Sequence, residues 1–205
     1  MMRTAYFTLA ILGCAIASAE AANLSKTYSY FSIGGSTLDE IETELSKRGP
    51  QIQGAGRRHP GATQMAFTTT LGYSEKKGSC TIVQANVTVK AKLILPKWRR
   101  SKRAGEDVRL IWDTLSSDIK RHEESHVVIA KNHARDLEVA LKAIGRQPNC
   151  SVAATKAKAV TARILGRHDK KQEEFDKVEG MNFESRIMRL LHYRLQRIEE
   201  GKLPG

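Results

Sequence analysis

The sequence predicts an α+β fold: a small antiparallel sheet in the N-terminal half, then a long helix and further helices in the C-terminal half. Three observations carry this. Residues 62–74 and 80–95 are rich in Thr, Val and Ile and alternate roughly between apolar and polar, the period of a half-buried strand. Between Gly105 and Gly145 there is neither glycine nor proline, and apolar residues recur every three or four positions. Strand-like and helix-like segments are also separated along the chain instead of alternating.

With 205 residues and 40% hydrophobic content the chain can bury one core of ordinary size, so one domain over 22–205 is expected. The preceding 1–21 reads as a signal peptide: Arg3, an apolar stretch, then small residues offering Ala17-Ser18-Ala19 or Ala19-Glu20-Ala21 for cleavage. That stretch is shorter than the roughly 20 residues a bilayer core requires, so no transmembrane span is expected after processing. Ile11-Leu12-Gly13-Cys14 loosely resembles a lipobox, which offers anchoring as a lipoprotein at Cys14 as the alternative. Either route predicts a periplasmic or secreted protein. Without the leader only Cys80 and Cys150 remain, and two cysteines in an oxidising compartment predict a disulfide between them.

The elements follow in order. "TYSYFSIGG" (27–35) reads as a strand, and "STLDEIETELSKRGP" (36–50) as a helix with a Ser/Thr cap, early acids and a Gly-Pro stop. The segments 62–74 and 80–95 read as two strands around an "EKKG" turn, closed by Pro96. The glycine-free stretch predicts one long helix or two in line. Its stripe of Ile111, Leu115, Ile119, His122, His126, Ile129, His133, Leu137 and Ala140 places the histidines on the buried face. Further helices are expected from Val152 to about Glu174 and from Phe183 to Glu200.

The net charge is +12, from 34 Lys and Arg against 22 Asp and Glu. Such a balance ordinarily suggests nucleic acid, but export makes an anionic envelope polymer the more available partner. The densest patch is the run from Lys97 to Arg103, "KWRRSKR", expected as a solvated loop able to meet such a polymer.

The chemistry concentrates in "HEESH", residues 122–126. Residues four apart on a helix are separated by about 6 Å along the axis and about 40° around it, so His122 and His126 can converge on one zinc ion. In HExxH enzymes the ion activates a water and the glutamate, here Glu123, acts as general base and then acid in peptide-bond hydrolysis. A catalytic zinc site needs a third protein ligand. His133 lies about 10 Å further along a continuous helix, too far to share the ion. The plan with a glycine three residues and a histidine six residues past the second ligand also fails, because Ile129 and Asn132 hold those positions. The third ligand is therefore sought in 167–184, which offers His168, Glu173, Glu174, Asp176, Glu179 and Glu184. Asp176 and Glu179 are favoured because they sit by the Gly180 break, where the chain could turn back toward the first helix. For the group that stabilises the oxyanion, His168, His192 and Tyr193 are all candidates.

With these residues placed, the order of landmarks resembles a family of bacterial exported proteins catalogued under a domain of unknown function and described as zinc-dependent proteases. The matching elements are the strand "ATQMAFTTTLGYS", Cys80, Leu95-Pro96-Lys97-Trp98, the helix bearing HEESH, Cys150 and "QEEFD" at 172–176, together spanning 27–182. The resemblance implies a periplasmic or secreted metallopeptidase-like domain with one disulfide, acting on a protein or peptide substrate. The family continues past its Gln-x-x-Tyr-Asp with Thr-x-His-Gly, whose histidine would suit a third ligand. Here Phe175-Asp176 fits the Tyr-Asp, but Glu179 and Met181 stand where the threonine and histidine would be. Two expectations follow: a zinc-dependent metallopeptidase of the cell envelope, or a non-catalytic basic envelope protein that binds an anionic polymer or protein partner and keeps a degenerate metal site.

Overall fold

The computed structural model describes residues 23–51 and 58–203. The expected signal peptide and the lipobox at Cys14 lie outside the described residues. The architecture is α+β, with a small three-stranded mixed sheet in the N-terminal half and the long helices in the C-terminal half. The strands are β1 (Asn23–Ile33), β2 (Ala62–Lys76) and β3 (Ser79–Trp98), and the helices are α1 (Leu38–Arg48), α2 (Glu106–Lys142), α3 (Cys150–Met181) and α4 (Phe183–Glu199).

The strands β2 and β3 form the expected antiparallel hairpin, turning at Lys77-Gly78, where Gly78 takes a φ of 66° that side chains disfavour. The departure from an all-antiparallel sheet is β1, which lies parallel to β3 on its other side, from Asn23 beside Thr88 to Ile33 beside Trp98. The reason is connectivity. A tight turn forces two strands antiparallel, whereas α1 intervenes between β1 and the hairpin and frees the direction of β1.

Helix α1 is capped by Thr37, whose hydroxyl accepts from the Glu40 N–H, and it buries Ile41 and Leu45 against Ile33, Trp98 and Trp112. Trp98 is fixed there by its indole N–H, which donates to the Gly35 carbonyl at 3.0 Å. Helix α2 is one unbroken helix. Its most buried positions are Trp112, Ile119, Glu123, Val127, Ala130, Ala134, Leu137 and Leu141, one residue round from much of the expected stripe. The histidines are only half-buried, because α2 turns its alanine-bearing face to the sheet and its histidine face to α3. Small residues from both helices, Ala130 and Ala134 with Ala157, join Val87 and Val89 of β3 in the largest core cluster.

Cys80 and Cys150 form the expected disulfide, joining the start of β3 to the start of α3. Paired backbone hydrogen bonds between Cys80 and Gln147, both 2.8 Å, reinforce the same junction. Helix α3 starts two residues before the expected Val152, capped by Asn149, and runs through Gly166 and Gly180 to Met181. The expected break at Gly180 falls one residue later, at Asn182 between α3 and α4, while Gly166 lies inside α3 at a cost of only about 1 kcal/mol. Among the described residues no helix is long and apolar enough to cross a membrane.

Candidate metal centre

Because α3 continues past its expected end, its C-terminal half lies beside the middle of α2. Two i, i+4 pairs then face each other: His122 and His126 on α2, Gln172 and Asp176 on α3. The Nε2 atoms of His122 and His126 are 3.1 Å apart, and Asp176 Oδ1 lies 3.2 Å from the first and 3.0 Å from the second. Four-coordinate zinc with nitrogen and oxygen ligands at about 2.0–2.1 Å has ligand–ligand edges of about 3.3 Å. The three atoms therefore already stand close to the spacing of one face of that tetrahedron. Among the described residues these three form the one cluster of metal-binding side chains.

The donor set tests the fit further. The Gln172 side-chain carbonyl lies 2.6 Å from His126 Nδ1, so that nitrogen carries the proton, and in the neutral ring the lone pair is left on Nε2. That lone pair points at a second imidazole nitrogen and a carboxylate oxygen. Three acceptors meeting at one point repel unless a proton or a cation lies among them. A shared proton would relieve that repulsion. Burial pulls the His126 imidazole down, but hydrogen bonding to Asp176 and Gln172 outweighs it and leaves it raised. Burial likewise pushes Asp176 up, yet its contacts with His122 and His126 hold it well below the usual carboxylate range. A divalent cation would satisfy all three groups at once.

Of the two carboxylates expected as third ligand, Asp176 meets both imidazole nitrogens. Glu179 approaches only His122 Nδ1, at 3.6 Å, and is held by Arg121 and by Arg186 of α4 at 3.4 Å. Those contacts, led in effect by the Arg121 hydrogen bond, keep Glu179 lowered against burial that would raise it. Arg186 in turn donates to the buried Asp118 of α2, tying α4 to the same wall. His133 points elsewhere, its Nδ1 donating to the Ile129 carbonyl at 2.9 Å. Met181 is 69% exposed and does not line the cavity.

Glu123 is 5% exposed and opens onto the same cavity, of about 580 Å³, as His122, His126 and Asp176. Two residues that the sequence does not single out shape its setting, Gly61 just before β2 and Thr63 at its start. The Thr63 hydroxyl donates to Glu123 Oε2 at 2.7 Å, and at Gly61 an added Cβ would lie 2.8 Å from Glu123 Oε1. Burial raises the Glu123 carboxyl, with Thr63 and the two histidines pulling the other way. The result is a carboxylate with one oxygen held and one free. Phe175 stacks on the His122 ring at 5.0 Å and meets His126 edge-on at 5.1 Å, fixing both rings from the α3 side.

Gln172, Thr63 and Gly61 were the site residues hidden from sequence reasoning. A signal for Gln172 was present: it stands four before Asp176, the spacing that matches His122 and His126. No such spacing marks Thr63 or Gly61. None of His168, His192 and Tyr193 lines the cavity, so none is placed to stabilise an oxyanion there.

A family model described as "Bacterial protein of unknown function (DUF922)" matches residues 28–183. The match covers most of the chain, which belongs to that family. No curated protein and no solved structure matches it.

Proposed function

We propose that this member of a bacterial family of unknown function is an exported zinc-dependent metallopeptidase of the cell envelope. The observation that carries the reading is the convergence of His122 Nε2, His126 Nε2 and Asp176 Oδ1 within 3.0–3.2 Å beside a buried glutamate in one cavity. The disulfide supports export, since such bonds persist in oxidising compartments.

When bound by His122, His126 and Asp176, zinc would supply Lewis acidity that activates water and polarises the scissile carbonyl at neutral pH. The chain's own part falls to Glu123. With Oε2 held by Thr63, Oε1 is free to take a proton from the attacking water as its oxygen bonds to the carbonyl carbon. The same oxygen then delivers that proton to the amide nitrogen as the carbon–nitrogen bond breaks. Burial that raises the carboxyl suits it to both halves of the transfer, because a general base works best when its pKa approaches the working pH.

Elemental analysis of the purified mature protein tests the reading, with about one zinc per chain expected. Glu123→Gln should keep the metal and lose hydrolysis of a protein substrate, whereas Asp176→Ala should lose the metal. A folded wild-type protein without stoichiometric zinc would sink the proposal.

One observation favours the second reading, a basic envelope-binding protein. Within the Lys97–Arg103 run, Trp98 is buried and Arg100 pairs with Asp113, but Lys97, Arg99, Lys102 and Arg103 are exposed and in no ion pair among the described residues. Under that reading, salt-sensitive binding to an anionic polymer survives His122→Ala and disappears when those four charges are neutralised.

A further inference from the structure

Behind the metal centre, on the side away from the cavity, lies a buried histidine that the proposed chemistry does not use. His168 of α3 is 5% exposed, meets Phe67 of β2 edge-on at 5.0 Å and His133 of α2 at 5.6 Å, and stands one turn before Gln172. Its Nε2 is 2.8 Å from the Gln172 side-chain nitrogen, and its Nδ1 is 2.9 Å from Asp169 Oδ1.

Hydrogen-bond directions along this row are fixed by elimination. The Gln172 amide nitrogen has two N–H groups, and it faces two strong acceptors, the His126 carbonyl at 3.1 Å and His168 Nε2, with the weakly accepting Met65 sulfur further off at 3.9 Å. The amide oxygen must then face His126 Nδ1, which donates to it. For His168 Nε2 to accept, the His168 proton must sit on Nδ1, where the Asp169 carboxylate receives it. A reversed Gln172 amide would set its oxygen against the His126 carbonyl and offer an N–H to His126 Nδ1. That would move the His126 proton to Nε2, the atom required to bind metal.

We propose that His168 is a positioning residue for the metal centre: by accepting from Gln172 it joins the His126 carbonyl in holding the amide in the one orientation that keeps the His126 Nε2 lone pair free for zinc. The inference rests on the zinc reading above and names two residues, His168 and Gln172, that set metal affinity without touching the ion. Partners one shell out from a metal commonly change its affinity by about 10- to 100-fold.

Zinc dissociation constants, measured on the full mature protein by competition with a chelator, test it with a pair of opposed variants. In His168→Gln the amide oxygen stands about where Nε2 stood and can still accept from Gln172, whereas His168→Asn keeps a polar group near Asp169 but leaves Gln172 without its acceptor. The asparagine variant should bind zinc about tenfold more weakly and the glutamine variant within about threefold of wild type. Gln172→Leu should lose at least as much as His168→Asn, and the double variant no more than Gln172→Leu alone, because His168 acts through Gln172. Equal affinities for the asparagine and glutamine variants, or losses that multiply in the double variant, would overturn the inference. Melting temperatures of the zinc-free proteins accompany the measurement: two variants destabilised alike but differing in zinc affinity support positioning over packing. Wild-type protein that binds no zinc would overturn the metal reading itself, whereas tight wild-type binding with unchanged variants overturns this inference alone.

Discussion

At Gly61 the space left by a missing Cβ decides how Glu123 sits. A methyl group there would lie 2.8 Å from Glu123 Oε1 and 2.9 Å from Ile119 Cγ2, closer than nonbonded atoms tolerate. Both groups are buried, but the β-branched Ile119 is stiff and the longer Glu123 side chain is not, so the carboxylate is the group that gives and it would swing away from the cavity. Since displacing a reacting group by about 1 Å can cost about 100-fold in rate, Gly61→Ala should lower kcat/KM by about that factor. The proposed ligands His122, His126 and Asp176 are untouched, so zinc content should stay at the wild-type level. Loss of zinc in this variant would show instead that Gly61 supports the helix. This residue also marks a limit of sequence reading. A glycine in the loop before a strand reads as a turn, and nothing in "HPGAT" reveals that residue 61 abuts a carboxylate more than sixty residues later. The HEESH motif was legible because helix geometry alone brings its parts together; Thr63 and Gly61 meet Glu123 only through tertiary packing.

Helix α3 shows what local signals can and cannot give at the scale of an element. Its start was legible to within two residues, the expected Val152 against the observed Cys150, but its end was not. Gly180 reads as a stop, and the helix ends one residue past it, so Asp176 and Glu179 are placed by regular helical spacing before the break and not by a chain reversal. Asp176 was therefore singled out for a reason that did not hold. The direction of β1 was hidden for a related cause, since pairing of strands not joined by a tight turn is decided by the crossover between them. The disulfide, by contrast, was legible from cysteine arithmetic and now has a structural role: it fixes the start of α3 to β3 across a separation of 70 residues. Closing a loop of that length stabilises by about 4 kcal/mol in the chain-entropy model. Replacing both Cys80 and Cys150 by serine should lower unfolding free energy in denaturant titrations by up to about that amount. Asp176 lies 26 residues, or about 39 Å of helix, beyond Cys150. The variant should therefore keep zinc affinity wherever it remains folded, and a parallel loss of affinity would show that the bond positions the site as well.

Over the whole molecule, apolar burial is distributed unevenly. The largest core cluster joins β3, the C-terminal half of α2 and the N-terminal half of α3, ending at Ile164. Beyond His168, α3 buries no residue, and α4 buries none at all. Besides Phe175 against the two imidazole rings, what holds this end to α2 is polar: Asp176 against the two histidines, Glu179 against Arg121, and Arg186 against Asp118. Segments with little buried apolar surface open with free energies well below that of global unfolding. A zinc ion bridging His122, His126 and Asp176 would then act as the missing core of this end. A ligand present at about a thousandfold excess over its dissociation constant contributes about 4 kcal/mol to the state that binds it. Stripping zinc should accordingly release one end of the molecule and spare the other. In hydrogen exchange, backbone amides of α3 beyond His168 and of α4 should exchange about a hundredfold or more faster in the chelated protein, since each 1.4 kcal/mol is a factor of about ten. Amides of β3 and of α2 beyond Ala130, which belong to the apolar core, should change little. Asp176→Ala should show the fast pattern with or without zinc. A uniform rise over the whole chain on chelation would mean that the metal supports global folding instead, and no change at either end would mean that the polar contacts hold α3 and α4 without it.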